Sequence, residues 1–225
     1  MTNETLYLGA NPLNASATAV EGDYVTRHGE SFYRIANVDG MNDFFISVVS
    51  DSNHWMFIST RGGLSAGRTD CDSALFPYYT EDKIRDNSDN TGSRTIVIAD
   101  QGGKRMLWEP FSRSHTGIYR ITRNLYKNVL GDKLIFEETN HDLDLQFSYS
   151  WSTSDRFGFV KQSTIKATGN AESAVEILDG IENLLPYGVL AGTQNELSCL
   201  VDAYKKNELV PNSGLAVYAA RPELG

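Results

Sequence analysis

Gly63-Leu64-Ser65-Ala66-Gly67 has the G-x-S-x-G spacing of a nucleophile elbow, in which a strained turn lifts a serine above a strand end and a helix follows. Arg68-Thr69-Asp70-Cys71-Asp72-Ser73 comes next instead and has no helical periodicity, so a tight turn is expected here rather than an acylating serine. Asp70 and Asp72 form a D-x-D that could offer hard oxygen ligands, but the further oxygens and the glycine at fixed offsets of a calcium loop are missing. Solvated carboxylates, or partners for Arg61 and Arg68, are the expectation, and no metal or cofactor is expected. His28, His54, His115 and His141 are scattered. An acid–base epimerase would need one of them and a carboxylate across a single sugar ring, which four isolated histidines leave open.

The richest stretch runs from Arg61 to Lys83, where glycines, Arg61, Arg68, Asp70, the run Phe76-Pro77-Tyr78-Tyr79, Asp82 and Lys83 fall in one long loop-like segment. Such residues offer bidentate hydrogen bonds to hydroxyls and flat apolar surfaces for ring C–H faces, which is the chemistry of sugar recognition. The same segment could equally be a long connection packing over the edge of a sandwich. Arg61, Arg68, Asp70, Tyr78, Tyr79, Asp82 and Lys83 are therefore the candidate ligand-binding residues, and none is assigned a catalytic role.

The 29 acidic and 20 basic residues give a net charge of −9, and no Lys/Arg run exceeds two, which disfavours a general phosphate-backbone binder. No nucleic-acid partner is expected. No apolar run approaches the ~20 residues of a membrane-spanning helix, and no basic segment leads into an apolar signal stretch, so a cytoplasmic protein without a membrane partner is expected. Cys71 and Cys199, with no C-x-x-C, read as free thiols.

The elements that must position these residues are strands. Leu143, Leu145, Phe147, Tyr149 and Trp151 alternate with polar residues, which predicts a strand over 142–151 with Asp142 and Asp144 on its wet face. Ser31–Val38, Asp43–Ser50, His54–Thr60, Ser93–Ala99, Arg105–Glu109, Gly117–Arg123, Lys133–Thr139, Phe157–Thr168 and Ala174–Leu178 read the same way. Hairpin turns are expected at Asp39-Gly40, Asp51-Ser52-Asn53, Asp100–Gly103, Gly131-Asp132 and Gly169-Asn170. Without helical periodicity between strands, stacked antiparallel sheets follow and an α/β fold is disfavoured. One helix is predicted, opened by the capping box Thr193-Gln194-Asn195-Glu196, carried by Leu197, Leu200, Val201 and Tyr204, and ending near Asn207. Pro211 and an Asn212-Ser213-Gly214 turn follow, with no evident element after them.

Phe44–Asp86 resembles the amino-terminal β-domain of the cellobiose phosphorylase group of glycoside phosphorylases and hydrolases. There a strand pair, a Gly-Gly turn like Gly62-Gly63 and a segment like Leu75–Asp86 succeed one another. Lys104–Pro110 is similar to that family's short Trp-x-Pro strand, and Leu145–Thr168 followed by Glu176-Ile177-Leu178-Asp179 to its final long strands. Thr80-Glu81-Asp82-Lys83 departs from the family's Asn-Asp-Pro.

The resemblance implies an all-β, two-layer antiparallel super-sandwich of the galactose-mutarotase-like kind over 1–192, with a C-terminal helix and the start of a linker over 193–225. It further implies an (α/α)6 catalytic barrel of the same polypeptide as partner, a possible homodimer, and contact with an oligosaccharide or sugar phosphate through the parent enzyme. The expected function is that of a non-catalytic, carbohydrate-associated domain serving packing and assembly. A stand-alone aldose epimerase and a sugar-binding module are the alternatives.

Overall fold

Between residues 145 and 152 the chain alternates large apolar side chains with Gln and Ser, and a strand patterned with period 2 can bury only one face. A computed structural model describes residues 5–8, 11–13, 19–78, 80–170 and 173–220. In chain order these form β1 (Tyr7–Leu8), β2 (Asn11–Pro12), β3 (Glu21–Arg27), β4 (Glu30–Ala36), β5 (Phe45–Val48), β6 (His54–Ser59), β7 (Leu64–Arg68), helix α1 (Glu81–Asp86), β8 (Gly92–Gln101) and β9 (Lys104–Trp108). They continue with β10 (Ile121–Asn128), β11 (Lys133–Asn140), β12 (Leu145–Ser154), β13 (Gly158–Ala167), β14 (Ala174–Glu182), helix α2 (Ala191–Ala203), β15 (Lys205–Val210) and β16 (Leu215–Ala220). Every pairing among these strands is antiparallel.

One layer is a six-stranded sheet of order β13-β12-β11-β10-β4-β3. The other is made of two three-stranded sheets, β5-β6-β7 and β14-β8-β9. Leu134 and Phe136 of β11 and Leu145, Phe147, Tyr149 and Trp151 of β12 face Ile46, Val48, Met56, Ile58, Leu64, Val97 and Trp108 in one buried cluster. The protein is thus an all-β sandwich, as its strand patterning predicts.

The G-x-S-x-G segment is neither an elbow nor a turn. It enters β7, where Ser65 is buried and donates to the Pro77 carbonyl at 3.0 Å. Leu75 and Phe76 both donate backbone N–H to Ala66 O, so the chain folds back over the strand. A Cβ on Gly63 would lie 2.3 Å from Ile84 O, and one on Gly67 2.7 Å from the Ala74 Cα. The motif's glycines are there because other backbone crosses directly over them.

Several expected boundaries shift. The strand read at Gly117–Arg123 starts at Ile121, because 113–118 is occupied by two backbone turns. Asp142 and Asp144 lie in the turn before β12 and not on its wet face, and the Asp142 carboxylate accepts from both the backbone N–H and the guanidinium of Arg120. Asp39-Gly40 and Gly169-Asn170 are crossings between layers and not hairpins, since β4 pairs with β10 and β14 with β8. Helix α2 starts at Ala191, so the Thr193–Glu196 box falls inside it, and non-helical angles at Leu197 kink it. It stops at Ala203, and the hairpin β15–β16 follows around the turn at Pro211–Gly214.

His54 shares the inward face of β6 with Met56 and Ile58 and is 9% exposed. Phe159 meets it edge-on at 5.1 Å, and neither ring nitrogen has a hydrogen-bond partner among the described residues. Burial holds its pKa below the ordinary 6.5, helped by Arg68 and opposed by Asp155. Below that pH the folded chain binds fewer protons than the unfolded one, so stability is intact above it and falls as the pH drops toward the folded value. Wild-type thermal stability is expected to fall more than that of His54→Leu on going from about pH 7 to about pH 5. Parallel pH profiles for the two chains would refute this.

Candidate functional site

The loop residues singled out by composition do not converge. Arg61 opens into a hollow of about 240 Å3 lined with Asp39, Phe111, Arg113 and Arg123. Arg68 ends β7, and Asp70 caps the short 3-10 turn Cys71–Ser73 by accepting the Asp72 N–H at 3.1 Å. Asp72 in turn accepts the Ala191 N–H at 2.9 Å, tying this turn to the start of α2. Tyr78 is half exposed and stands edge-on to Trp55 at 5.9 Å, while Trp55 donates to Asp70 O at 3.3 Å. Asp70 and Tyr78 therefore share the surroundings of Trp55, whereas Arg68 stands opposite His54 in the β6–β7 register and Lys83 lies exposed on α1. Tyr79 and the side chain of Asp82 lie outside the described residues. Among the described residues no group of His, Cys, Asp and Glu is arranged to hold a metal ion.

A different surface gathers polar groups. Along β12 the outward residues are Gln146, Ser148, Ser150 and Ser152. The register sets Lys166, Thr164 and Gln162 of β13 on one flank and Thr139, Glu137, Ile135 and Lys133 of β11 on the other. Serines bordered by longer side chains lower the surface along β12, and the result is a trough of about 440 Å3. That lies within the ~300–1,000 Å3 of small-molecule sites. The β3–β4 hairpin contributes Arg27, His28, Glu30 and Phe32 to the lining. Its loop, His28-Gly29, has positive φ at both residues (50° and 80°), as a tight two-residue hairpin requires.

The charges around this trough are already matched. Glu137 accepts from Arg27 Nη2 at 2.7 Å, from the Tyr126 hydroxyl at 2.6 Å and from Asn124 Nδ2 at 3.1 Å, with the Arg27 guanidinium 4.2 Å over the Tyr126 ring. Burial works to raise the Glu137 pKa, but these donors together hold it below the ordinary carboxylate value. Tyr126 is pushed up to about 12 by burial and then by Glu137, so it stays a phenol. Glu30 accepts from Lys133 and Asn128, each at 2.6 Å, and these hydrogen bonds lower its pKa. Neither carboxylate is poised to take a proton near neutrality. What stays available is a set of hydroxyls and amides, with Lys166 at one flank.

Glu138, next to Glu137 on β11, points the other way and is buried in the sandwich. It accepts from Trp108 Nε1 at 2.8 Å, from the Phe111 N–H at 2.6 Å and from Arg123 Nε at 2.7 Å. Arg123 also reaches Asp39 Oδ2 at 3.2 Å and Ser112 O at 3.3 Å. Burial works to lower the Arg123 pKa, but the Glu138 and Asp39 carboxylates raise it above its ordinary value. This network pins the 109–112 segment and forms one wall of the hollow that Arg61 borders.

The fold and the trough define a class, an all-β antiparallel sandwich with a polar groove along one open sheet face. No protein-family model matches the chain, and no curated protein matches it. The alternation in residues 142–151 predicts a wet face on this strand but does not mark it as a site. The signal was Ser148-x-Ser150-x-Ser152 beside Gln162-x-Thr164-x-Lys166, two period-2 polar rows on consecutive strands.

Proposed function

We propose that this sandwich is a non-catalytic, carbohydrate-associated domain of a larger glycoside phosphorylase or hydrolase, and that the trough along β12 is where it holds a saccharide. The observation that carries this reading is the lining: hydroxyls and amides of Gln146, Ser148, Ser150, Gln162 and Thr164 in a groove whose carboxylates are already paired. Polyhydroxylated ligands need many neutral donors and acceptors on a rigid floor, and strands supply such a floor better than loops. With Arg27 paired to Glu137 and Lys133 to Glu30, the lining offers little free charge, which favours a neutral sugar. The locked state of Glu30 and Glu137 favours binding over proton transfer. The resemblance of Phe44–Asp86 to the phosphorylase β-domain supports a parent enzyme whose helical barrel does the chemistry.

Calorimetric titration with cello-, malto-, laminari- and chito-oligosaccharides is expected to give saturable heat with at least one series. Ser150→Trp fills the floor without touching the buried face and is expected to lower that affinity at least ~tenfold, about 1.4 kcal/mol, with thermal stability unchanged. The same preparation should interconvert α- and β-aldoses no faster than buffer. Absence of heat across the panel, or full affinity in Ser150→Trp, overturns the proposal.

A further inference from the structure

β14 ends the sheet β14-β8-β9, with no strand among the described residues paired to its other side, and all nine of its residues are exposed. It contains no proline and no lysine, two of the usual devices that blunt an edge strand, and such an edge is a template for pairing. It carries three acids, Glu176, Asp179 and Glu182. Glu176 is bound by Arg105 at 2.7 Å and Asp179 by Lys161 at 2.7 Å, so two of the three are neutralised within the chain.

The order of residues along β14 also fits itself. Taken antiparallel about Leu178, Glu176 falls opposite Gly180, Ile177 opposite Asp179, Val175 opposite Ile181 and Ala174 opposite Glu182. No acid meets an acid directly, and like charges directly opposite are what destabilise a cross-strand pair. On the outer face Leu178, 69% exposed, would meet Leu178 of the second copy, with Ile96 of β8 beside each by register. That joins two separate apolar spots into one strip across the fused sheet.

We propose that two copies of this chain associate through β14, antiparallel and about a twofold axis at Leu178, so that two three-stranded sheets become one of six. A twofold contact requires one patch to complement itself, and the order of β14 meets that requirement. The association is independent of any sugar bound in the trough.

Light scattering coupled to size exclusion is expected to give a dimer mass at micromolar concentration. Leu178→Lys, which sets two ammonium groups face to face on an exposed position, is expected to raise the dissociation constant at least ~tenfold without lowering thermal stability. In a Cys71→Ser/Cys199→Ser background, Leu178→Cys should form a disulfide dimer under mild oxidation. Directly opposite Cα atoms lie ~4.5–5.5 Å apart in an antiparallel pair, within the span of a disulfide. Glu176→Cys is offset from its own copy by four residues, roughly 13 Å, and should not cross-link. A monomer, a dimer indifferent to Leu178→Lys, or equal cross-linking at the two positions each overturns the proposal.

Discussion

Glu138→Ala is expected to destabilise the protein by about 3–5 kcal/mol, the usual cost of removing one partner from a buried ion pair. The carboxylate serves three donors, the Trp108 indole, the Phe111 N–H and the Arg123 guanidinium. Its own side chain is 2% exposed and that of Arg123 13%, so water cannot replace what is lost. Asp39 would remain to Arg123, but at 3.2 Å and nearly half exposed it compensates little. Glu138→Gln separates charge from shape. An amide oxygen in the Oε2 position can still serve Phe111 and Arg123, but its NH2 then faces the Trp108 N–H, donor against donor. The glutamine variant should therefore lose stability too, though less than alanine, and the loss on Glu138→Gln should be smaller in a Trp108→Phe background than in the wild type. Urea unfolding of the three variants measures it, and a loss below ~1 kcal/mol for Glu138→Ala would mean that the network adds nothing net.

The residue order alone does not show this network. Glu137-Glu138 in Leu-Ile-Phe-Glu-Glu-Thr reads as a strand turning polar, and nothing in the residue order says which carboxylate is buried. The pleat decides. Leu134 and Phe136 face inward, so Glu138 must follow them into the sandwich while Glu137 faces outward. Its donors come from β9, from the segment before β10 and from β10 itself, and such partners are set by how the layers stack. Local alternation, by contrast, was enough to locate β12, β11 and β13, and the turns at 51–53, 100–103 and 131–132 do join neighbours in a sheet.

The same limit explains the site. Arg61–Lys83 drew attention through composition, yet its glycines serve close backbone crossings and its Asp70 caps a turn. The segment that reads as one long loop contains β7 and the start of α1, and a strand made of Leu-Ser-Ala-Gly-Arg shows no alternation when both faces are covered. The trough was half legible. Its serines are in plain view, but β3, which carries Arg27, reads Glu-Gly-Asp-Tyr-Val-Thr-Arg with Tyr24 exposed, so nothing marks it as a strand that reaches across to Glu137.

Glu137 is the second position where a large effect is expected, and there the pH dependence gives the test. Its carboxylate accepts from Arg27, Tyr126 and Asn124, and a glutamine offers only one oxygen to donors that approach both Oε1 and Oε2. Glu137→Gln therefore sets an NH2 against either the guanidinium or the phenol and amide. Because Arg27 is 29% exposed, solvent relieves part of the strain, and the expected loss is about 2–3 kcal/mol, at the lower edge of buried-pair values. The folded pKa lies below the ordinary 4.5, so the carboxylate stabilises the fold fully above that pH and loses its advantage as the pH falls through the folded value. The difference between wild type and Glu137→Gln should accordingly be widest near neutrality and shrink steadily in acid. Sugar affinity should fall in the same variant at neutral pH, since Arg27 loses the partner that holds it along the trough wall. A stability difference that stays constant from neutral pH into acid would show that the buried carboxylate does not carry the wall.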